Sequence, residues 1–294
     1  MRLTITAHST ALFSTWIFIE EWRLLFDAGD GVMSWLQHRS RKIKNIAISH
    51  ADRDHIFGLL QLNHHNAKHN LESVLYPSDA RSIDRLREFA WRFDRETADT
   101  YEWIKVVPDE TYPLSNELAL RPRRNTHLSR MPGENRSVGY VVMRRFRKLK
   151  EEFLGLPQEE LRRIGTERGS QFLSEAHEEP LLAYSGDTGV MAPDYWMGAK
   201  ILIHEATFLR DGEVEEGWPG HEHSTMPEVL VMARDANPET LILHHISSRY
   251  RMGEVAYEVK KLASELNLQF PIWALPPGET VEDLLSRPPI WEPM

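Results

Sequence analysis

The 294-residue sequence contains no cysteine, which excludes disulfide bonds and thiolate chemistry. Any metal bound by this chain must therefore be held by imidazole, carboxylate or backbone oxygen atoms. The sequence also lacks a run of about 20 apolar residues, the length that a membrane-spanning helix requires, and its first residues do not resemble a signal peptide. These absences predict a cytoplasmic protein with no membrane segment.

Positive charge is scarce overall but concentrated in one stretch. The formal net charge of −9 argues against attraction of the whole surface to nucleic acid or to anionic lipid. Between Arg121 and Lys150, however, ten residues are basic and only Glu134 is acidic. This basic strip has two interpretations: a binding surface for phosphates, or a solvated face balanced by acids elsewhere in the fold.

Short β-branched runs alternate with helix-like segments along the chain, which is typical of an α/β protein. One long strand is predicted at 15–26. Helices are predicted at 79–96, 148–164, 225–236 and 253–265.

Polar side chains follow several apolar runs at the point where each predicted strand ends. These strand-end residues are Asp27, His50, Asp187, His204 and the pair His244–His245. Ligand sites of α/β sheets gather beyond the carboxyl ends of the strands. We therefore expect these groups to meet at one place, although each taken alone is more typical of a turn or a helix cap.

The segment ISHADRDHIFGLL, residues 48–60, has the densest group of candidate ligands. Two histidines and two aspartates fall within six residues, at His50, Asp52, Asp54 and His55, directly after an apolar run. If the chain turns into a helix near Asp54, these side chains face one cavity but point toward two neighbouring positions. Such a pattern indicates two metal ions rather than a polar surface loop.

The same segment resembles the His-x-His-x-Asp-His motif of the metallo-β-lactamase superfamily, with Asp52 in place of the second histidine. Further stretches follow in the order expected for that superfamily, and they resemble its ribonuclease Z branch: LLAYSGDTG at 181–189, ILIHEATF at 201–208, HST at 223–225 and LILHHISSRY at 241–250. The resemblance covers most of the chain. It implies an α/β protein with the four-layer αβ/βα sandwich, as a single domain over residues 1–294 with a substrate-gripping insertion at about 144–170.

The resemblance also implies a centre of two divalent metal ions, with zinc as the first expectation and manganese as the alternative. The first ion would be held by His50, Asp52, His127 and Asp187, and the second by Asp54, His55, Asp187 and His245. Because aspartate is shorter than histidine and anionic, Asp52 makes the first position richer in oxygen, which adds manganese as an alternative to zinc. Asp27 is expected to hold a metal-binding histidine through its other ring nitrogen.

As a ribonuclease Z relative, the chain would cleave the 3′ trailers of tRNA precursors, with pre-tRNA bound along the strip from Arg121 to Lys150. Asp54 would orient the attacking water, and His223, held by Glu205, would protonate the leaving oxygen. The resemblance also allows a homodimer. Two other functions fit the motifs: hydrolysis of a small ester, lactone or cyclic phosphate, and RNA binding without catalysis.

Overall fold

Two β-sheets form the centre of the protein. The computed structural model describes residues 3–66, 69–98, 100–128, 131, 133–213 and 222–293. Within these residues each sheet has seven strands. The first sheet contains β1 (Ile5–Thr10), β2 (Ser14–Ile19), β3 (Leu24–Phe26), β4 (Asn45–Ala47), β5 (Ser73–Pro77), β6 (Glu102–Val106) and β14 (Thr280–Val281), in the order β14-β1-β2-β3-β4-β5-β6.

The second sheet contains β7 (Tyr112–Pro113), β8 (Leu118–Arg124), β9 (Val138–Leu149), β10 (Ser174–Tyr184), β11 (Ile201–Glu205), β12 (Thr240–His244) and β13 (Ile272–Ala274). Its order is β13-β12-β11-β10-β9-β8-β7, with parallel pairing from β10 to β13 and antiparallel pairing from β7 to β10. Because β10, β11 and β12 are parallel, their carboxyl ends lie at one edge of the sheet.

Helices cover the outer face of each sheet. Those on the first sheet are α1 (Val32–Leu36), α2 (Arg53–Ile56), α3 (Leu59–Asn66) and α4 (Arg81–Phe93), followed by the short α5 (Arg95–Ala98). The second sheet is covered by α8 (Met226–Ala236) and α9 (Met252–Glu265). Two further helices, α6 (Gln158–Arg168) and α7 (Ser170–Leu173), lie between β9 and β10 in sequence. Short 3-10 helices occur at Gln37–Lys42, Glu151–Phe153, Pro193–Tyr195 and Leu284–Ser286.

Three apolar clusters hold these layers together. The middle cluster joins the inner faces of the two sheets, with Ile17 and Phe26 from one packed against Val142 and Ile203 from the other. The other two clusters lie between each sheet and its helices. The layers therefore run helix, sheet, sheet, helix, and the predicted α/β four-layer sandwich is confirmed.

Two predicted elements were wrong. The predicted strand at 15–26 is the β2–β3 hairpin, which turns where the amide of Arg23, at a φ of 54°, donates to the carbonyl of Glu20. The predicted helix at 148–164 begins at Gln158 instead, because β9 continues to Leu149 by pairing with β10. Helical spacing of the leucines did not reveal this longer strand pairing. The other predicted helices match α4, α8 and α9 within a few residues.

The distal halves of β9 and β10, with α6 and α7 between them, form an arm that projects from the second sheet. From Arg144 to Pro180 no residue is buried. The predicted insertion at about 144–170 lies within this arm. Among the described residues, no helix is both long and apolar enough to cross a membrane.

Candidate metal centre

Among the described residues, three groups of side chains that could hold a metal ion lie where strand ends of the two sheets meet. Two of them, called here the two ligand groups, are His50, His127 and Asp187, and Asp54, His55 and His245. The third, Asp187, His223 and His245, shares one residue with each of these. Within each group the candidate ligand atoms lie within 4.8 Å of one another. Each set offers imidazole and carboxylate, the ligand types that zinc and manganese accept.

Asp187 joins the two groups. Its Oδ2 atom lies 3.1 Å from His245 Nε2, 3.2 Å from His55 Nε2 and 3.7 Å from His50 Nε2. The side chain is 3% exposed, so it is screened from water by the ligands around it. One carboxylate thus lies close to histidines of both groups.

Buried atoms without a partner point into this centre. Among the described residues, His50 Nε2, His55 Nε2 and Asp187 Oδ1 are buried and make no hydrogen bond. Leaving a buried polar atom unpaired costs roughly 1–3 kcal/mol, so such atoms are rare without a functional reason. Their clustering in one cavity fits residues that bind metal ions.

The carboxylate of Asp27 lies behind the centre and fixes the orientation of His55. Asp27 Oδ2 accepts from the Tyr184 hydroxyl at 2.5 Å and from the Ser49 hydroxyl at 2.8 Å, and lies 2.8 Å from His55 Nδ1. Its Oδ1 accepts from the Ser49 amide. With Nδ1 donated to Asp27, His55 presents Nε2 as the atom available to a metal.

The space among His50, His127 and Asp187 is called here the first position, and Asp52 lies beside it. Asp52 Oδ2 lies 3.4 Å from His127 Nε2 and 3.7 Å from His50 Nε2, and its side chain is 38% exposed. Burial would raise the pKa of Asp52, but the hydrogen bond from His127 and the nearby His50 lower it to about 2. The group is therefore an anion within reach of the first position.

His127 is buried, not exposed on the surface of a basic loop. Its Nδ1 lies 3.0 Å from the carbonyl oxygen of Glu222, the residue that precedes His223 in the chain. With Nδ1 directed to this carbonyl, Nε2 faces the first position, 3.4 Å from Asp52 Oδ2.

His223 and Glu205 lie beside the two positions. His223 Nδ1 is 2.8 Å from Glu205 Oε1, and the His223 ring stacks on that of His245 with centroids 5.3 Å apart. Burial favours the neutral ring, but the Glu205 carboxylate raises the pKa of His223 to about 9. His223 therefore holds a proton near neutral pH, at the mouth of the centre.

The expectation that all the strand-end residues meet at one place was only partly correct. Asp27, His50, Asp187 and His245 meet, whereas His204 turns away, with Nδ1 bonded to the Glu205 carbonyl and its ring edge-on to Trp196. Adjacent side chains of a strand point to opposite faces, so β11 directs Glu205 toward the centre and His204 away from it. His244 likewise lies outside both groups, its Nδ1 3.4 Å from Ser9 Oγ.

Several supporting residues were missed by the sequence reasoning. Tyr184, Ser49 and Thr207 all hold side chains of the centre, and Thr207 Oγ1 lies 2.9 Å from His245 Nδ1. The amide of Leu12 donates to Asp54 Oδ2 at 3.2 Å. Only Tyr184 had a visible signal, as a polar group in an otherwise apolar strand. A backbone donor such as Leu12 has none.

Comparison with known proteins gives the fold and a sequence similarity. No family model matches the chain. The chloroplastic tRNase Z TRZ2 of Arabidopsis thaliana is 27% identical over 264 residues, covering 86% of this chain and 70% of that protein. The metallo-β-lactamase fold protein YhfI of Bacillus subtilis superposes with a TM-score of 0.61 at 17% identity, covering 96% of this chain and all of that one. For the short form of human tRNase Z the TM-score is 0.58 at 18% identity, covering 95% of this chain and 99% of that one.

The chain thus has the fold of the metallo-β-lactamase superfamily. Its sequence is similar to tRNase Z and ribonuclease Z proteins, which agrees with the resemblance predicted from the motifs.

Proposed function

We propose that this protein is a metal-dependent phosphodiesterase of ribonuclease Z type that cleaves the 3′ trailers of tRNA precursors. The observation that carries the proposal is the pair of ligand groups around Asp187, with His223 and Glu205 beside them. The similarity to a tRNase Z over 86% of the chain supports RNA as the substrate.

The donor set fits divalent metal ions. The unpaired buried atoms of His50, His55 and Asp187 are nitrogen and carboxylate ligands, and no residue of the chain supplies thiolate. We assign His50, Asp52, His127 and Asp187 to one ion, and Asp54, His55, Asp187 and His245 to the other. Zinc suits the histidines, and the carboxylate of Asp52 makes manganese the alternative.

When bound, two such cations neutralise charge on a phosphoryl oxygen and make a water nucleophilic near neutral pH. The residues of the chain do the rest. Asp54, fixed by the Leu12 amide, orients the attacking water. His223 donates its proton to the leaving ribose oxygen, and Glu205 holds the ring in position and keeps it protonated.

The arm and the basic strip would bind the RNA. The strip runs along β8 and β9 and passes into the arm. Its charge, however, is partly balanced: Arg121 pairs with Glu178 at 2.6 Å, Arg144 with Glu179 at 2.7 Å, and Arg123 with Asp109 at 2.8 Å. Phosphates would have to displace or share these partners.

That pairing favours a second candidate function, hydrolysis of a small phosphodiester at the same centre. Such a substrate needs only the groups of the centre and no extended basic surface. The two functions share the metal ions, Asp54 and His223, and they differ only in whether residues outside the centre affect catalysis.

The decisive experiment loads the purified protein with zinc or manganese and supplies two substrates. One is a pre-tRNA with a 3′ trailer, and the other is bis(4-nitrophenyl) phosphate. We expect about two ions per chain and cleavage of both substrates, with the RNA cut at a single position. Cleavage of the small compound alone would support the second function, and failure to cleave either would refute the phosphodiesterase proposal.

A further inference from the structure

Three aromatic side chains project into solvent from the second half of α4. Phe93 is 80% exposed, Phe89 is 52% exposed and Trp91 is 38% exposed. The rings of Phe89 and Phe93 stack on each other, with their centroids 5.8 Å apart. The helix itself is anchored by Ile83 and Ala90, which are buried. Packing of α4 therefore does not account for the three rings.

Exposed arginines surround these rings. α4 and the start of α5 contain five of them: Arg81, Arg85, Arg87, Arg92 and Arg95. Of the four acids at 81–96, two are paired outside this stretch, because Asp84 lies 2.8 Å from Lys105 Nζ and Asp94 lies 2.6 Å from His64 Nδ1. The surface of α4 is thus locally positive, although the chain has a net charge of −9.

The arginines and the rings form neighbouring rows. At 3.6 residues per turn, Arg81, Arg85 and Arg92 lie in one row along α4, on the side opposite the buried Ala90. Within this row Glu88 pairs with Arg92 at 2.5 Å. The two phenylalanines, four residues apart, form a second row on one side of the arginines. The tryptophan lies on the other side of the arginine row.

This arrangement suits a single-stranded nucleic acid better than a membrane. Bases stack on exposed aromatic rings, and arginine binds phosphate. A strand along α4 can place phosphates on the arginine row and bases on the neighbouring phenylalanines at the same time. In a helix that lies on a membrane the apolar residues share one face, whereas the arginine row separates these rings.

We propose that the outer side of α4 binds single-stranded RNA, with bases stacked on Phe89 and Phe93 and phosphates bound by Arg85 and Arg92. The inference rests on the proposed function only in naming RNA as the nucleic acid. Binding here requires neither metal ions nor cleavage. It is also separate from the arm, because α4 covers the first sheet and the arm extends from the second. Since every base has a face that can stack, binding should tolerate many sequences.

The first test removes the two stacked rings. Binding of fluorescein-labelled oligouridine is measured by anisotropy with the metal-loaded protein, and again with EDTA present to stop cleavage. The double variant Phe89→Ala, Phe93→Ala should bind about tenfold more weakly under both conditions, because stacking on an aromatic ring contributes about 1–3 kcal/mol per base. Tyr257→Ala, at an exposed aromatic residue of α9, is the matched control and should bind normally.

Duplex RNA shows whether stacking is the cause, because its bases are already stacked inside the helix. Its affinity should not change in the double phenylalanine variant. An unchanged affinity for oligouridine in that variant, or an equal loss for oligouridine and duplex, would overturn the proposal.

The second test changes the arginine row. Arg85→Gln with Arg92→Gln should make the salt dependence of oligouridine binding shallower, by about 0.7 for each phosphate no longer bound. Glu88→Gln should act in the opposite direction and tighten binding, because it removes the acid that pairs with Arg92. Glu265→Gln, at an exposed position of α9, should have no effect. Binding that is insensitive to both changes in the row would contradict the assigned phosphate contacts.

Vesicles of phosphatidylcholine and phosphatidylserine test the lipid alternative. We expect no sedimentation of the protein with them. Sedimentation that the double phenylalanine variant abolishes, together with normal binding of oligouridine by that variant, would assign the surface to a membrane and overturn the proposal.

Hydrolysis of bis(4-nitrophenyl) phosphate separates this proposal from the proposed function. None of the α4 variants should change it, because their side chains lie outside the metal centre. If oligouridine binds through the phenylalanines but the protein hydrolyses no phosphodiester, the α4 surface stands and the proposed function fails. If the protein hydrolyses phosphodiesters and the phenylalanines do not affect RNA binding, the reverse holds.

Discussion

The metal centre and the arm are held in different ways. In the centre, His50 and Asp187 are buried just beyond strand ends, and His55, buried in α2, is held by a hydrogen bond to the buried carboxylate of Asp27. In the arm no residue from Arg144 to Pro180 is buried, and ion pairs such as Arg144–Glu179 join exposed side chains. Exposed pairs contribute about 0–1 kcal/mol each and weaken with salt.

This difference separates chemistry from recognition. A reaction requires ligand atoms held within fractions of an ångström, which the rigid sheet edge provides. Binding of a long RNA requires area and charge, which an exposed hairpin provides without packing constraints. Changes in the centre should therefore affect every substrate, whereas changes in the arm should affect RNA alone.

The largest effect is expected from Asp187→Asn. The amide keeps the size of the side chain but removes the charge that both ligand groups share. We expect loss of at least one ion per chain and a fall in kcat of roughly 10³-fold or more on both substrates, since metal charge lowers the barrier by several kcal/mol. Metal content is measured by mass spectrometry of the digested protein.

Asp235→Asn, at an exposed position of α8, is the matched control and should keep both ions and full activity. Circular dichroism establishes that the Asp187 variant is folded. Full metal content in that folded variant would contradict the bridging role.

His223→Ala should produce the next largest effect, with a fall in kcat of about 10²–10⁴-fold on RNA. Because 4-nitrophenolate leaves without protonation, the loss on bis(4-nitrophenyl) phosphate should be far smaller. Metal content should not change. His38→Ala, at an exposed position outside both the arm and the centre, serves as the histidine control. Equal losses on the two substrates would contradict a role in protonating the leaving oxygen.

Tyr184→Phe should weaken metal binding by about tenfold, because the Asp27 carboxylate that holds His55 loses its shortest hydrogen bond. Tyr140→Phe is a close control: this tyrosine is also buried, but its hydroxyl donates to the Ile48 carbonyl and not to Asp27. Competition with a chromogenic chelator measures both affinities. Identical affinities in the two variants would show that the Tyr184 hydroxyl does not act on the metal centre.

Asp52→His should change metal preference rather than occupancy. Imidazole in place of the carboxylate makes the first position richer in nitrogen, so the ratio of zinc to manganese retained from an equimolar mixture should rise severalfold. Absence of both ions from the variant would contradict this expectation.

The sequence predicted the centre better than the arm for a physical reason. His50, Asp187 and His245 follow apolar strands, so local patterns place each beyond a strand end. That the ends of β4 in one sheet and of β10 and β12 in the other lie together was expected from the resemblance. His204 also follows an apolar run, but its side chain lies on the face of β11 opposite to that of Glu205. Successive side chains of a strand alternate between its two faces, and the sequence does not show which face is turned toward the centre. The hydrogen bonds of Tyr184 and Leu12 depend on tertiary approach, which no local pattern records.

The start of the helix in the arm was predicted wrongly, because the residues of the arm have no buried face that would give them a clear periodic pattern of apolar residues. The segment after Arg147 has helical spacing, yet strand pairing with Glu175 and Ser174 extends β9 through Leu149. Since this segment has no apolar side to bury, the helix or strand preference of its residues has little influence. Pairing with β10 determines that it forms a strand.

The smallest effect is expected from removing the charge of Arg144, Arg145 and Arg147 together by substitution with glutamine. Because Glu178 and Glu179 already balance part of this charge, KM for pre-tRNA should rise only about two- to fivefold, and kcat should not change. The salt dependence of RNA binding should become shallower by about one unit for each phosphate that the variant no longer binds. Hydrolysis of bis(4-nitrophenyl) phosphate should be unaffected, and so should RNA binding in a variant of Lys260 and Lys261 on α9. An unchanged salt dependence would mean that RNA does not lie along the arm, and would leave the small phosphodiester as the better substrate.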